Sequence, residues 1–264
     1  MKRYLQTLLA LTITLAMTTI SLAQQEKEFK IPHTSGKLYI ADIDEVTIVG
    51  YNGSDIIFIS MKEDIKDEAR MAGLRMINSL GLEDNTGLGI SVVKENDVVI
   101  ARQISSMCDC EAVTVKVPRG VKVAVEHGGM NGDYISIKNI EAEVEVTTNY
   151  QDVLLEDVTG PMAIKTVYGK VEGEFKSISQ VGSISIYSVY DLVDLTIPAV
   201  SNANISLTTP YGSVYSNMDI DVTASSKGQT NTCSSGGGFI KGTLGSGGVD
   251  FNVKSSYENI YLRK

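Results

Sequence analysis

Two aspartates pose the first chemical question. Asp133, in "NGDY" (131–134), and Asp152, in "YQDV" (150–153), fall at like places in neighbouring stretches of alternating residues. Two carboxyl groups about 5 Å apart are the arrangement of a retaining glycosidase. The same pair offers oxygen ligands to Ca²⁺. Lys170 comes at the next such place, and Glu156-Asp157 repeats the acid pairing. Aspartates in turns need no ligand, because their side chains hydrogen-bond the local backbone. That plainer reading is adopted, with no metal, no cofactor and no catalytic residue assigned. A polysaccharide-active enzyme or a calcium-dependent glycan binder centred on Asp133 and Asp152 stands as the alternative.

The remaining chemistry-bearing residues are sparse. Cys108 and Cys110 in "MCDCEA" and Cys233 in "NTCSSGGG" allow one bridge and leave one thiol over. Cys-x-Cys is too lean for zinc when His33 and His127 are the only histidines in the chain. Neither histidine has a nucleophile beside it in sequence, and a lone histidine is more often structural than catalytic. "GSGG" and "SSGGG" lack the Lys-Ser/Thr and helix start of a phosphate loop, so they serve tight corners. Tryptophan is absent, which removes the strongest sugar-stacking side chain, although tyrosine can substitute.

Charge and the first residues bound the setting. "MKRYLQTLLALTITLAMTTISLAQQ" has a basic start, an apolar run and a small-x-small site at Ser21-Leu22-Ala23, so residues 1–23 read as a secretory signal peptide. No cysteine follows the cut, and no later stretch is apolar enough to span a bilayer. The net charge is −9, and losing Lys2 and Arg3 with the leader makes it more negative. Such a chain repels nucleic acid and anionic membrane surfaces. At 43% hydrophobic residues it is nonetheless a folding sequence.

What must position any site is a repeat. "VEVTTNYQDV" (144–153), "MAIKTVYGKV" (162–171), "ISIYSVYDLV" (184–193), "ISLTTPYGSV" (205–214) and "FNVKSSYENI" (251–260) align on Tyr150, Tyr168, Tyr190, Tyr211 and Tyr257. Every copy reads apolar-x-apolar-x-Ser/Thr-x-Tyr-x-x-Val/Ile. A period of two places the apolar residues, the Ser/Thr and the Tyr on one face of a strand. The steps between tyrosines are 18, 22, 21 and 46 residues, the last being two periods with a degenerate copy between. A period near twenty without an internal helix predicts one solenoid coil per repeat. Like positions would then stack about 4.8 Å apart, with the tyrosine rings buried in a ladder and the Ser/Thr in a hydrogen-bonded file.

Upstream, "KLYIADI", "EVTIVGYNG" and "DIIFISM" read as strands. Residues 63–80, "EDIKDEARMAGLRMINSL", carry apolar residues at three- and four-residue steps and predict an amphipathic helix ended by Gly81. It would cap one open end of the stack. At the other end, Arg263 and Lys264 would charge the last strand against edge-to-edge association. The organisation is therefore an N-terminal β region over 24–120 with its helix, continuous with a repeat region over 121–264.

These residues carry a resemblance. "VTIVGYNG", "ARMAGLRMINSLGLEDNTGLGISV", "VTVKVPRGVKVAVEHGG", the Tyr-Gly turns and "IKGTLGSGGVDFNVKSSYENIYLRK" are similar to a family of exported bacterial putative adhesins with β-strand repeats, a domain of unknown function. The likeness runs from about Lys37 to Lys264. It implies an all-β, right-handed β-solenoid at the cell envelope, in the periplasm or on the outer surface, and no catalytic residues. Where Gly would follow the Tyr, this chain has Gln151, Asp191 and Glu258. The function expected is a non-enzymatic scaffold or interaction module for a protein or glycan of the envelope.

Overall fold

The computed structural model describes residues 26–61, 70, 73–104, 112–223 and 238–264. The leader at 1–23 and the three cysteines, Cys108, Cys110 and Cys233, lie outside the described residues.

The alternating pattern builds coils that each give one strand to each of two sheets. In chain order these pairs are β2 (Gly36–Ala41) with β3 (Val46–Tyr51), β6 (Val98–Gln103) with β7 (Val113–Pro118), and β8 (Val121–His127) with β9 (Tyr134–Lys138). Then come β10 (Val144–Thr148) with β11 (Asp152–Val158), β12 (Met162–Thr166) with β13 (Val171–Phe175), and β14 (Ile184–Ser188) with β15 (Val193–Thr196). The last are β16 (Ala203–Thr209) with β17 (Val214–Ser216), and β20 (Val249–Ser255) with β21 (Ile260–Arg263). Within each sheet these strands pair parallel and in register. The result is an all-β, solenoid-like stack.

Register turns the repeat into a core. Val144, Met162, Ile184, Phe251 and Ile205 are successive partners in one sheet. Val153, Val171, Val193, Ile260 and Val214 succeed one another in the other, where Val214 alone is less than fully buried. The N-terminal strands join the same rows, Leu38 pairing with Val123 and Val46 with Ile135. One hydrophobic cluster therefore runs from Leu38 to Leu262.

Stack order departs from chain order at both ends. The coil β20–β21 lies between β14–β15 and β16–β17, so Phe251 contacts both Ile184 and Ile205. The coil β2–β3 is likewise held between β6–β7 and β8–β9. In the described part of the degenerate copy expected after Tyr211, β19 (Gly238–Leu244) runs antiparallel to β16, with β18 (Asp221–Val222) beyond it at the edge. Arg263 and Lys264 thus do not guard an edge. Arg263 sits inside the sheet and makes a two-pronged ion pair with Asp194 at 2.7 Å.

The expected helical cap is corrected over 73–80, the part the structure describes beyond Arg70. Of residues 63–80, positions 63–69, 71 and 72 lie outside the described residues, and from Gly73 onward the chain is turn and irregular. Gly73 and Gly81 take left-handed φ of 78° and 76°. Asn78 accepts from Leu80 N and Leu82 N, both at 3.0 Å, a local bonding pattern that competes with helix. Of the apolar residues that defined the helix face, Met76 and Leu80 are 40% and 79% exposed. Antiparallel strands close that end instead: β5 (Ile90–Glu95) on β6, and β4 (Asp55–Met61) with β1 (Glu26–Pro32) on β7.

Phe251 is fully buried in the intercalated coil and meets Phe175 edge-on at 5.7 Å. Phe251→Ala is expected to lower the unfolding free energy by about 3–5 kcal/mol, read from urea denaturation. Phe239→Ala, on an exposed position of β19, should change it by less than about 0.5 kcal/mol.

Candidate interaction surface

The Ser/Thr row is spent on holding the turns. Thr166, Ser188, Ser255 and Thr209 are buried, and each hydroxyl accepts from the backbone N–H three residues later, at 2.9–3.2 Å. Ser188, Ser255 and Thr209 each donate to the turn carbonyl of the coil beneath, Gly169, Asp191 and Glu258, at 2.9–3.0 Å. Only a group that both donates and accepts can do this. Gly169 is required for a related reason, since a Cβ there would collide with the Gln151 carbonyl.

The tyrosines stack in the spatial order Tyr150, Tyr168, Tyr190, Tyr257, Tyr211, with centroids 4.9–5.1 Å apart and planes within 14°. They are not core residues. Exposure runs from 41% for Tyr150 to 70% for Tyr211. The strand ends at the Ser/Thr, and the turn that begins there rotates the next residues off the inward face. The rings cover one another and present their edges and hydroxyls to solvent.

The aspartate pair is offset. Asp152 pairs with Tyr134 and Val153 with Ile135, so Asp133 does not lie level with Asp152 as the alignment of "NGDY" on "YQDV" placed it. Asp152 accepts from Lys170 N at 3.1 Å, while Lys170 Nζ lies 3.9 Å from Asp152 and 2.9 Å from Glu172. Burial pushes the Asp152 carboxyl above its ordinary range, against the pull of the Lys170 N–H and ammonium. Among the described residues no group of three or more His, Cys, Asp or Glu converges as a metal site would.

His127 does have partners, from turns distant in the chain. It occupies the Ser/Thr row, opposite Thr148, and is buried. Its Nε2 lies 3.2 Å from Asp44 Oδ1, and its Nδ1 lies 2.5 Å from Gln151 Nε2. Gln151 also donates to the Asn131 carbonyl at 2.8 Å and accepts from the Thr148 hydroxyl. Asp44 is held in turn by Gln103 Nε2 at 2.8 Å. With Nε2–H donating to Asp44 and Nδ1 accepting from Gln151, each of these side chains has a matched partner. His127 and Gln151 are buried while Asp44 and Gln103 at the other end of the polar chain are partly exposed, and the chain ties the Asp44 turn to the Gln151 turn. Its one sequence signal was Gln151, standing where two other copies have Gly169 and Gly212.

His33 is the opposite case. It is buried, and its Nε2 has no hydrogen-bond partner. Burial first, then the nearby Lys94 charge, lowers its pKa from the usual 6.5.

The surface offers an open groove of about 470 Å³ on the β9–β15 sheet, lined by Lys138, Glu156, Glu172, Glu174, Asp194 and Arg263 among others. Its floor dips at Gly173, which stands between Leu155 and Leu195 in the register. The charges there are largely paired, Lys138 to Glu156 at 2.6 Å and Arg263 to Asp194.

No family model matches the chain, and no curated protein does. Three solved structures are similar over most of their length. A putative cell adhesion protein from Clostridium sporogenes ATCC 15579 shares 10% identity over 90% of this chain and 99% of its own, with a TM-score of 0.43. A putative adhesin from Bacteroides fragilis NCTC 9343 shares 10% over 91% and 98%, with a TM-score of 0.32. A putative adhesin from Parabacteroides merdae ATCC 43184 shares 8% over 92% and 97%, at 0.26. At that level of likeness the residues themselves must carry the function.

Gln151→Ala strips His127 and Thr148 of their partner. It should cost about 1–3 kcal/mol per buried group left unsatisfied, seen as a lowered melting temperature. For His33 the folded state resists the proton that the unfolded chain accepts, so stability should fall as pH drops below about 6.5. His33→Gln should flatten that decline when urea midpoints are compared at about pH 7.5 and 5.5.

Proposed function

We propose that the protein is a non-enzymatic, exported component of the bacterial cell envelope, an adhesin-like scaffold that binds a protein or glycan through its outer faces. One observation supports this most. The residues able to do chemistry, the Ser/Thr row, His127, Asp44 and Gln151, are consumed inside the stack by hydrogen bonds to neighbouring turns. Two long faces of alternating outward residues are left for contact. A rigid parallel stack holds such a face without the entropy loss of ordering it on binding. The support for export is the Lys2-Arg3 start, the apolar run and the Ser21-Leu22-Ala23 site.

The mature chain immobilised on beads should retain a defined partner from envelope extract. A variant with its outward positions scrambled, and the inward rows kept, should lose it. Cell fractionation with antibody labelling of intact cells reports periplasm against outer surface. Retention of nothing specific, or a cytoplasmic location, would defeat the proposal.

A further inference from the structure

The sheet that contains β10, β12, β14, β20 and β16 divides by charge. In its N-terminal half the outward lysines are neutralised: Lys37 by Glu145 and Lys122 by Glu143, both at 2.6 Å. In its C-terminal half Lys165, Lys241 and Lys254 are exposed and have no carboxylate within ion-pair distance among the described residues. The same half carries outward Asp250 and Asp221, so three lysines face two carboxylates in a chain of net charge −9.

Register gives the lysines a spacing. Lys165, Tyr187 and Lys254 are successive partners on β12, β14 and β20, so the two ammonium-bearing positions lie two strands apart, about 10 Å. Lys241 pairs with Ser206 on β16, two strands beyond β20 and one outward row over. Positive charge therefore recurs every second strand along the stack. Between the lysines the face is flat and lined by short hydrogen-bonding side chains: Ser185, Asn252, Ser206 and Thr208. Lys254 Nζ sits 4.8 Å over the Tyr187 ring, and Phe239 is exposed opposite Thr208. Three residues further along each coil runs the tyrosine ladder.

We infer that this half-face binds an extended acidic polysaccharide carrying one carboxylate per disaccharide, laid along the stack. The lysines meet carboxylates, the amide and hydroxyl rows meet sugar hydroxyls, and the aromatic rings take the apolar edges of the sugars. The exposed aromatic rings stand at the edges of this half, Phe239 on β19 and the tyrosines beyond the strand ends, while its middle rows are hydroxyl, amide and ammonium groups around Tyr187. Nucleic acid carries a charge density that the acidic remainder of the chain opposes. The inference rests on the interaction-module reading and names its ligand class.

The test uses the mature protein and hyaluronan, a uronate–hexosamine alternating polymer, with binding followed by calorimetry at low and moderate salt. The triple variant Lys165→Gln, Lys241→Gln, Lys254→Gln should lose affinity at least tenfold. Lys138→Gln on the opposite sheet should not, and carboxyl-reduced hyaluronan should fail to bind. All three lysines are exposed, so matching urea midpoints establish that the variant is folded. No binding at low salt, equal binding by the triple variant, or stronger binding to single-stranded DNA each overturns the inference. If hyaluronan fails while the envelope extract still yields a defined partner, the scaffold reading stands and only the ligand assignment falls.

Discussion

Parallel pairing in register between successive coils is the constraint on which the remainder of the molecule depends. Side chains alternate along a strand, so a slip of one residue would turn every apolar row to water and every outward residue to the core. Here one inward row runs unbroken across the stack: Val99, Leu38, Val123, Val144, Met162, Ile184, Phe251, Ile205. The hydroxyl file reinforces the same register. Ser188 reaches the Gly169 carbonyl and accepts from Asp191 N only when the two turns lie directly over one another.

Intercalation of the first and last coils adds a second constraint. A stack built in chain order would leave its terminal coils at the open ends, free to fray. In this protein the terminal coils are clasped on both faces, with antiparallel strands such as β19 on β16 and β5 on β6 lying outside them in one sheet. Ladder hydrogen bonding is thus completed around both termini, and the exposed edge is passed to short or charged strands. β17 has three residues, and β1 exposes Glu26, Glu28 and Lys30 before ending at Pro32. These are the features that discourage sheet edges from pairing with other chains.

Because the core and turns take up the conserved pattern of the repeat, the outward residues are the ones left to differ from coil to coil. Lys165, Tyr187, Lys254 and Thr208 occupy one equivalent outward position, and Glu145, Ala163, Ser185, Asn252 and Ser206 another. Function on this architecture is a matter of which side chains are written onto those positions. His127, between Asp44 and Gln151, ties two distant turns together.

The amino-acid sequence by itself determined the strands, their inward faces and the equivalence of the repeats, because alternation and turn residues are local properties that a period of two exposes. It also marked the Ser/Thr and Tyr positions, although not that the Tyr rings face solvent, which follows from the turn geometry. Only the tertiary structure decided that Tyr257 lies between Tyr190 and Tyr211, since five nearly equivalent repeats offer equivalent partners and pairing order is a non-local choice. It decided too that residues 73–80 are not helical, where Gly73, Gly81 and the bonds of Asn78 outweigh an apolar period. The offset of Asp133 from Asp152 and the meeting of Asp44 with Gln151 are of the same kind. Each depends on how distant turns come to rest against one another, and no spacing along the chain records that.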